Sequence, residues 1–259
     1  MSWFLEGVLL TELDLENPFF SAPVYHLEET GSTMEDAARL AAEGKASGFV
    51  VTADHQISGR GRIADRRWES SRGRDLLFTL ALRLNDIPFG PTALSLRCGL
   101  GLALLLEKRW GLEPWIKWPN DLLIRGGKIA GILCQGRGDW FFTGIGLNLV
   151  SPTSASKLRR RAASVTDETG REEEPSVVLS ALLPALKEAL SARDWQEQIN
   201  RRLFGAGSQV TVYPGAAGSG ESYRARILGA APDGGLILLD GDGRRVTLIT
   251  GEIDFQDLS

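Results

Sequence analysis

The sequence predicts an α+β fold: a body that combines a mixed β-sheet with helices, followed by a small C-terminal β-barrel or sandwich. A chain of 259 residues with 43% hydrophobic residues suits one large domain, or one domain with a small appendage. β-Branched runs and helix-length apolar patterns alternate along the first 205 residues. From about residue 207, short β-branched runs instead alternate with glycine, aspartate and proline turns. We therefore predict a body at residues 1–205 and a small β domain at residues 206–259.

The composition excludes several classes of protein. The net charge is −4, so no overall charge attracts the chain to DNA or to an anionic membrane. Cys98 and Cys134 are the only cysteines, which gives neither a disulfide framework nor a metal spacing and indicates a reducing compartment. His26 and His55 are too few for a zinc site or the usual Ser-His-Asp triad. Without a signal-peptide pattern or a run of about 18 apolar residues, we expect a cytoplasmic protein with no membrane span.

Local patterns predict the elements of the first part of the body. They are an extension over residues 1–23, a strand over 24–30, a helix over 31–44 and a buried strand over 48–56. The helix has Ser32 or Thr33 as its N-cap, acidic residues in its first turn and Gly44 as its stop. Residues 57–75 follow as a long loop, and long loops without internal structure are usually functional or mobile.

The rest of the body alternates strands and helices. The predicted elements are a strand over 75–84, a helix over 93–111, a strand, turn and β-hairpin over 114–136, a strand over 139–150, a polar surface segment over 151–173 and one or two helices over 174–205. Gly111 is predicted to end the first of these helices. Pro184 is predicted to mark a break or a first turn between the last two.

The hairpin carries two charged residues that suit phosphate chemistry. With a two-residue turn at Gly126-Gly127, alternation of side chains places one set of residues on one face of the sheet. That set is Asp121, Leu123, Arg125, Lys128, Ala130 and Ile132. On this face Asp121 suits Mg²⁺, since hard cations prefer carboxylate oxygens, and Lys128 suits a phosphate or a transferring carboxyl group. A surface hairpin with an ordinary ion pair is an equally good interpretation of the pattern.

The loop at residues 57–75 is a basic island in a slightly acidic chain, with six arginines and three glycines. Aromatic residues that would stack on single-stranded nucleic acid are reduced to Trp68. Glycine backbone and guanidinium groups instead favour a loop that cradles phosphate or carboxylate. Further along, Gly131, Gly144 and Gly146 leave space beside strands, and Asn148 offers both a donor and an acceptor. Neither the dinucleotide-binding fingerprint nor a Walker A motif is present, so any ATP site is of another kind.

Taken together, these motifs closely resemble the biotin protein ligase family. The residues that carry the resemblance are "GSTMEDA", "ADHQISGRGR", Trp68, "KWPNDLL", "GGKIAGIL" and "GIGLN", spread over roughly residues 25–150. The resemblance implies a catalytic domain with a mixed sheet, like that of class II synthetases, with helices on one side of the sheet. It also implies that the C-terminal β domain is an SH3-like barrel.

The resemblance further implies an ATP-dependent biotin–[acetyl-CoA-carboxylase] ligase. Biotin and MgATP would form biotinyl-5′-adenylate, and the biotin would then pass to a lysine of a biotin carboxyl carrier protein or domain. The implied biotin-binding residues are Ser32, Thr33, Gln56, Gly59, Arg60, Arg62, Lys128, Gly131 and Gly144. The implied ATP-binding residues are Arg60, Arg62, Trp68, Asn120, Asp121, Lys128 and Asn148. Arg62 and Lys128 would be catalytic, and Asp121 would hold Mg²⁺.

The sequence departs from the family pattern in three places, and other functions stay open. Met34 replaces the usual asparagine, residues 63–65 lengthen the arginine loop, and "ILCQG" lacks an acidic end. About 25 residues precede the first motif, too few for the DNA-binding domain of larger members. We therefore expect no DNA and no membrane partner, and a monomer or homodimer. The alternatives are a lipoate or octanoyl acyltransferase, with Cys134 as nucleophile in the latter, and a catalytically weakened biotin-binding regulator.

Overall fold

The structure is a computed structural model that describes residues 2–5, 8–62, 68, 70, 72–151, 161–215 and 221–255. Within this part of the chain, the strands form one nine-stranded sheet and one five-stranded sheet. The departure from the family pattern at Ile63, Ala64 and Asp65 lies outside the described residues.

The larger sheet forms the body of the protein. Its strands are β1 (Ser2–Leu5), β2 (Val8–Leu13), β3 (Val24–Leu27), β4 (Val50–Ala53), β5 (Asp75–Arg83), β6 (Trp115–Lys117), β7 (Asp121–Ile124), β8 (Gly127–Arg137) and β9 (Trp140–Asn148). They lie in the order β1-β2-β3-β4-β5-β9-β8-β7-β6. β3 and β4 pair in parallel while the other neighbours are antiparallel, so the sheet is mixed as predicted. The predicted N-terminal extension contains two strands, β1 and β2, which pair with each other and extend the sheet beyond β3.

The helices are α1 (Thr33–Ala42), α2 (Pro91–Trp110), α3 (Val165–Thr169), α4 (Pro175–Ser191) and α5 (Trp195–Arg202). Ser32 is the N-cap of α1, and α2 ends at Gly111, whose φ of 65° lies in the left-handed region. Pro184 lies inside α4, so it marks neither a break nor a first turn. The segment predicted to be polar surface contains α3, whose Val165 is buried. No single described helix is long and apolar enough to cross a membrane, although α4 and α5 pass that test together as a pair bent by 114°.

The two faces of the larger sheet bury different apolar clusters. Successive residues of a strand point to opposite faces. In β9, Ile145 and Leu147 accordingly belong to the cluster that includes α2 and α4, whereas Trp140 and Phe142 belong to the cluster that includes α1. The fold class is confirmed. The expectation of helices on one side holds for α2 and α4, while α1 packs on the opposite face.

The hairpin between β7 and β8 turns one residue earlier than predicted. Ile124 pairs with Gly127, so the turn consists of Arg125 and Gly126 rather than of two glycines. Their φ angles are 46° and 78°, and positive φ at both central positions is what a type I′ turn requires. Arginine thus occupies a position where the left-handed conformation is uncommon for a residue with a Cβ.

A register shift beside this turn decides which side chains share a face. Lys128 of β8 pairs with Leu123 of β7, and Ala130 pairs with Leu122. Two residues of β8 thus correspond to one residue of β7, as in a β-bulge. Ala130 and Ile132 therefore pack in the α2 cluster. Lys128 and Gly131 share the opposite face, where a Cβ on Gly131 would lie 3.0 Å from Lys128 Nζ. The predicted common face is thus wrong for Ala130 and Ile132, although Asp121 and Lys128 do meet.

The smaller sheet follows α5. Its strands are β10 (Gln209–Pro214), β11 (Tyr223–Ala230), β12 (Leu236–Asp240), β13 (Arg245–Leu248) and β14 (Gly251–Asp254), in the order β13-β12-β11-β10-β14. All its neighbouring strands are antiparallel, and the sheet resembles an SH3-like barrel that is not closed. Trp118 Nε1 donates to the carbonyl of Gly234 at 3.0 Å, which ties the β6–β7 turn to this sheet. The domain boundary at residues 205 and 206 stays a prediction.

Candidate functional site

A cavity of about 200 Å³ lies on the face of the larger sheet that α1 covers. The start of α1, the loop after β4, strands β8 and β9, the β6–β7 turn and β14 contribute to its lining. The predicted site residues that line it are Ser32, Thr33, Gln56, Arg60, Arg62, Trp68, Asn120, Asp121, Lys128, Gly131 and Gly144. Gly59 and Asn148 were also predicted, but they lie behind residues that line the cavity.

One wall is a hydrogen-bonded corner between α1 and the loop after β4. Gln56 Oε1 accepts from the backbone N–H of Thr33 at 2.9 Å and from its hydroxyl at 3.1 Å. Thr33 Oγ1 also lies 2.9 Å from Thr79 Oγ1 of β5. The Ser32 hydroxyl makes no capping bond to the helix, although Ser32 occupies the N-cap. The corner therefore presents oriented donors and acceptors before any ligand binds.

A buried carboxylate that the sequence analysis did not single out supports this corner. Asp36 is 2% exposed and accepts from the Thr30 hydroxyl and from Arg39. Thr30 Oγ1 in turn accepts from the backbone N–H of Ser32 at 3.2 Å. Burial raises the pKa of Asp36, and the hydrogen bond from Thr30 and the charge of Arg39 oppose that rise. The network fixes the turn that presents Ser32 to the cavity.

The floor of the cavity is open because several of its residues are glycines. A Cβ on Gly146 would lie 2.5 Å from the Trp68 ring, and one on Gly131 would lie 2.9 Å from the same ring. A Cβ on Gly144 would lie 3.1 Å from the thioether of Met34. Because Cβ atoms do not approach other atoms within 3.0 Å, the indole lies over β8 and β9 only where these strands carry no side chain.

Trp68 is held in place by the root of the arginine loop. Its backbone N–H donates to the carbonyl of Gly59 at 3.0 Å. A Cβ on Gly59 would lie 2.5 Å from the carbonyl oxygen of Trp68, so the close approach of the backbone at residue 59 to that at residue 68 requires glycine at position 59. The backbone N–H of Gln56 also donates to the Ser70 hydroxyl at 3.3 Å. Gly59 thus contributes to the cavity through the indole that it positions.

Lys128 and Asp121 form the charged part of the floor. Lys128 Nζ lies 2.7 Å from Asp121 Oδ1 and 5.5 Å from the centroid of the Trp68 ring. The two charged side chains are 35% and 20% exposed. Asp121 Oδ1 makes no aligned hydrogen bond with any described residue, so we describe the short contact as an ion pair. The indole of Trp68 lies beside this pair, and its buried Nε1–H also has no hydrogen-bond partner among the described residues.

Two asparagines hold the backbone around this ion pair. Asn120 Nδ2 donates to the carbonyl of Ile132 at 3.0 Å, and the carbonyl of Asn120 accepts from the N–H of Ile132 at 2.9 Å. Asn148 Nδ2 donates to the carbonyls of Lys128 and Ala163, at 3.2 and 3.0 Å. Asn120 therefore lines the cavity while it fixes the β6–β7 turn to β8. Asn148 acts behind Lys128.

The first two arginines of the loop are both paired with carboxylates. Arg60 Nη1 donates to Glu35 Oε1 at 2.6 Å. Arg62 Nη2 donates to the carbonyl of Gly251 at 3.0 Å and lies 3.4 Å from Glu252 Oε1. Glu252 belongs to β14, so the smaller sheet supplies part of the cavity wall. The cavity thus contains the cations Arg60, Arg62 and Lys128, each next to a carboxylate of the same chain.

Known proteins are similar to this chain in sequence and in fold. A model of the biotin/lipoate A/B protein ligase family matches residues 28–148. The biotin–[acetyl-CoA-carboxylase] ligase of Mycobacterium tuberculosis is 30% identical over 239 residues, which cover 87% of this chain and 86% of that protein. The ligase of the same name from Paracoccus denitrificans is 32% identical over 246 residues, covering 88% and 99%. The chain belongs to the biotin protein ligase family.

A solved structure supports the same conclusion about the fold. The biotin protein ligase from Aquifex aeolicus in complex with biotin and ATP superimposes with a TM-score of 0.77. It is 26% identical in sequence, and the match covers 89% of this chain and 97% of that chain. The family, the ligase class and the fold class predicted from the motifs are therefore confirmed.

Cys134 lies on the other face of the larger sheet. Like Ala130 and Ile132, it contacts the α2 cluster, whereas Lys128 faces the cavity. Burial raises the pKa of its thiol to about 12, and a hydrogen bond with Thr143 opposes that rise only in part. A thiol that stays protonated and faces away from the cavity is no nucleophile for an acyltransferase reaction.

Several residues that line the cavity or lie beside it were not predicted as site residues. Glu35 and Asp36 looked like ordinary acidic residues in the first turn of a helix. Glu252 lies more than one hundred residues from the other motifs, and only the tertiary structure brings it to Arg62. Lys117 is part of the quoted "KWPND" motif, and it lines the cavity with its Nζ 5.1 Å from the centroid of the Phe255 ring. Its place in that motif was the one signal that identified it.

Proposed function

We propose that this protein is an ATP-dependent biotin protein ligase that makes biotinyl-5′-adenylate and transfers biotin to a lysine of a biotin carboxyl carrier domain. One observation carries the proposal: in a chain of this family, a single cavity joins a neutral hydrogen-bonding corner to a Lys128–Asp121 ion pair. Such a cavity suits a ligand that has a neutral polar ring at one end and a carboxylate at the other.

The neutral corner suits the ureido ring of biotin, which has one carbonyl and two N–H groups. Ser32 and Thr33 supply hydroxyls that donate or accept, and Gln56 holds Thr33 through two hydrogen bonds. Because these groups are already fixed by the backbone and by Asp36, binding the ring costs little ordering of side chains. Met34 and Gly144 supply an apolar contact beside this corner.

The charged part of the cavity suits the first reaction step. The carboxylate oxygen of biotin attacks the α-phosphorus of ATP, the bond from that phosphorus to the bridging oxygen breaks, and pyrophosphate leaves. Negative charge builds on the phosphoryl oxygens in the transition state, and Lys128, Arg60 and Arg62, which line the cavity, would neutralise it. Trp68, lying over Gly131 and Gly146, screens this region from water and presents an aromatic face to the adenine.

The donor set fits a magnesium ion bound mainly through the substrate. Among the described residues no group of three acidic, histidine or cysteine side chains is arranged to hold a metal. Mg²⁺ in nucleotide sites is usually held by one or two carboxylates, phosphate oxygens and water. Asp121, which lines the cavity, would supply the one carboxylate. When bound, the ion would neutralise charge on the phosphates.

The second step transfers biotin to the acceptor. The neutral amine of an acceptor lysine attacks the acyl carbon of biotinyl-5′-adenylate, AMP leaves, and an amide forms. Lys128 and the loop arginines stabilise the departing phosphate in the same way as before. The acceptor approaches the cavity beside Arg60, which lines it and pairs with Glu35.

Two assays test the proposal. With Mg²⁺, the protein is expected to catalyse ATP–pyrophosphate exchange that depends on biotin. With a biotin carboxyl carrier domain, it is expected to transfer radiolabelled biotin but not radiolabelled lipoate. Transfer of lipoate without transfer of biotin would replace the proposed substrate. A folded protein that binds biotin but shows no exchange would instead support a regulatory role.

A further inference from the structure

A cluster of three charged residues lies beside the cavity, and one of them, Arg60, lines it. Glu35 of α1 accepts from Arg60 of the loop at 2.6 Å. Arg137, at the end of β8, binds the same carboxylate through two nitrogens, Nη1 to Oε2 at 2.8 Å and Nη2 to Oε1 at 2.6 Å. The cluster therefore connects the loop to a helix and to a strand of the body.

The two arginines bind this carboxylate in different ways. The bidentate contact with Arg137 joins two regular elements, so it fixes the orientation of the carboxylate whether or not Arg60 is present. Arg60 contributes a single nitrogen, and this is the one hydrogen bond that its side chain makes with the described residues. A guanidinium has five N–H donors. The Arg60 side chain is 54% exposed, so most of its fork is free to meet a ligand.

The contact with Glu35 is suited to holding Arg60 in place rather than to withholding it from a ligand. Exposed ion pairs contribute little free energy, so Glu35 alone competes poorly with a phosphate for the guanidinium. A weak contact nevertheless reduces the number of rotamers that a long side chain samples, and that lowers the entropy lost on binding. The pKa of Glu35 is lowered, chiefly by its hydrogen bond with Arg137, so the carboxylate stays charged near neutral pH.

We propose that the Glu35–Arg137 pair positions Arg60 at the cavity mouth, so that the remaining donors of Arg60 meet the biotin carboxylate and the α-phosphate. Glu35 touches no ligand in this scheme and acts through Arg60, so it is a positioning residue. The proposal rests on the proposed ligase function. It adds a role for Glu35, which lies within the "GSTMEDA" motif, and one for Arg137, which lies outside the motifs that carry the family resemblance.

The first test compares kinetics of the full-length variants in biotin-dependent ATP–pyrophosphate exchange. Glu35→Gln keeps the size of the side chain and removes its charge. We expect it to raise the KM for biotin about fivefold, as for a weakened charged hydrogen bond between Arg60 and the ground-state carboxylate of biotin. The kcat is expected to stay within about twofold of wild type, because Lys128 and Arg62 still meet the developing charge. The matched control is Glu197→Gln, which removes a carboxylate from the exposed Glu197–Arg201 pair on α5, whose residues do not line the cavity. Equal KM values in the Glu35 variant, the control and wild type would overturn the proposal, as would a lower KM for biotin in Glu35→Gln.

A double-mutant cycle separates positioning from a general structural effect. If Glu35 acts through Arg60, then adding Glu35→Gln to Arg60→Ala leaves the KM for biotin unchanged beyond the effect of Arg60→Ala alone. Arg137→Ala is expected to change KM in the same direction as Glu35→Gln, because it frees the carboxylate that holds Arg60. Additive effects of Glu35→Gln and Arg60→Ala would show that Glu35 acts independently and would overturn the proposal.

A third measurement does not depend on activity. Hydrogen exchange of residues 57–62 in the ligand-free protein is expected to be about threefold or more faster in Glu35→Gln than in wild type or Glu197→Gln, since an anchor of the loop is lost. Unchanged exchange would overturn the positioning role. Faster hydrogen exchange in Glu35→Gln, in a protein whose wild type catalyses no ATP–pyrophosphate exchange, would support the positioning role and reject the ligase function.

Discussion

The two ends of the cavity are built in different ways. At the neutral end, Ser32, Thr33 and Gln56 are held by hydrogen bonds to the backbone and to buried groups, with Asp36 beneath them at 2% exposure. At the charged end, each cation is instead next to a carboxylate, and Arg60 is 54% exposed. The neutral end is therefore formed before a ligand arrives. The charged end is instead held by ion pairs, whose exposed donors stay available to a ligand.

This difference separates affinity from rate. Groups that are already oriented bind a ring equally well in the ground state and the transition state, so they act mainly on KM. Cations that meet developing charge act mainly on kcat. The ion pairs of the charged end also reduce the mutual repulsion of Arg60, Arg62 and Lys128 before ATP binds.

The strongest test of the comparison removes a cation from the charged end. Lys128→Ala and Arg62→Ala are each expected to lower the rate of adenylate formation by about 10²-fold or more, the effect of losing a contact with transition-state charge. Single-turnover formation of biotinyl-5′-adenylate measures it. Lys108→Ala, an exposed lysine at the end of α2, is the control and is expected to react at the wild-type rate. Near-normal rates in both site variants would contradict the assignment of the charged end.

A smaller effect is expected when the floor between the two ends is changed. Gly146→Ala places a methyl group 2.5 Å from the Trp68 ring, so the indole has to move. We expect kcat/KM for ATP to fall about tenfold, within the range for misplacing a group near the reaction. Gly241→Ala adds a methyl group in open space and serves as the control. If Gly146→Ala reacts as fast as the control, Trp68 does not take part in binding ATP.

The neighbours Glu35 and Asp36 are expected to respond to pH with opposite sign. Arg137 lowers the pKa of Glu35 below its usual value of 4.5, so its stabilising effect is present above pH 4.5 and is lost as the pH falls. Burial raises the pKa of Asp36 above 3.8, so its stabilising effect is present at low pH and is lost as the pH rises through the raised pKa.

Urea unfolding between pH 7 and pH 3.5 measures these two effects. On acidification, the stability of wild type relative to Glu35→Gln is expected to fall, whereas its stability relative to Asp36→Asn is expected to rise. The Glu35 effect is expected to be the smaller, because exposed ion pairs contribute only ~0–1 kcal/mol. If the relative stability changed with pH in the same direction for Glu35→Gln and Asp36→Asn, the described difference between the paired Glu35 and the buried Asp36 would be wrong.

The smallest effect is expected on the opposite face of the sheet. Cys134→Ala is expected to leave the rate of biotin transfer within about twofold of wild type, because the thiol faces the α2 cluster. Transfer to a carrier domain measures it. A loss of activity comparable to that of Lys128→Ala would reopen the acyltransferase alternative, in which this thiol is the nucleophile.

Most of the fold was predictable because its signals are local. The cap at Ser32, the stop at Gly111 and the strand patterns of β4, β5 and β9 each depend on a few neighbouring residues. The N-terminal hairpin and the continuous helix through Pro184 were missed. A mixed extension becomes two strands only because the edge of β3 offers a partner, and the packing of α4 on α2 tolerates a proline that propensity alone disfavours.

The site was predictable in its motifs but not in its pairings. Lys128 and Asp121 were expected to meet, and they do, yet through a register that differs from the predicted one. The register depends on a turn at Arg125 and Gly126 and on a bulge beside it. Neither is specified by the alternation of side chains alone, because a shift of one residue reverses the face of every residue beyond it.

The sequence by itself identified many of the groups that line the cavity: the hydroxyl pair, the glycine floor, the leading arginines, Lys128 and Asp121, all within motifs of short range. The tertiary structure decided which carboxylates face those cations. Glu35 of α1 and Glu252 of β14 meet the loop arginines only when the chain is folded, and Arg137 of β8 meets Glu35 only then. The physical reason is that charge pairing acts over a few ångströms in space and does not depend on distance along the chain.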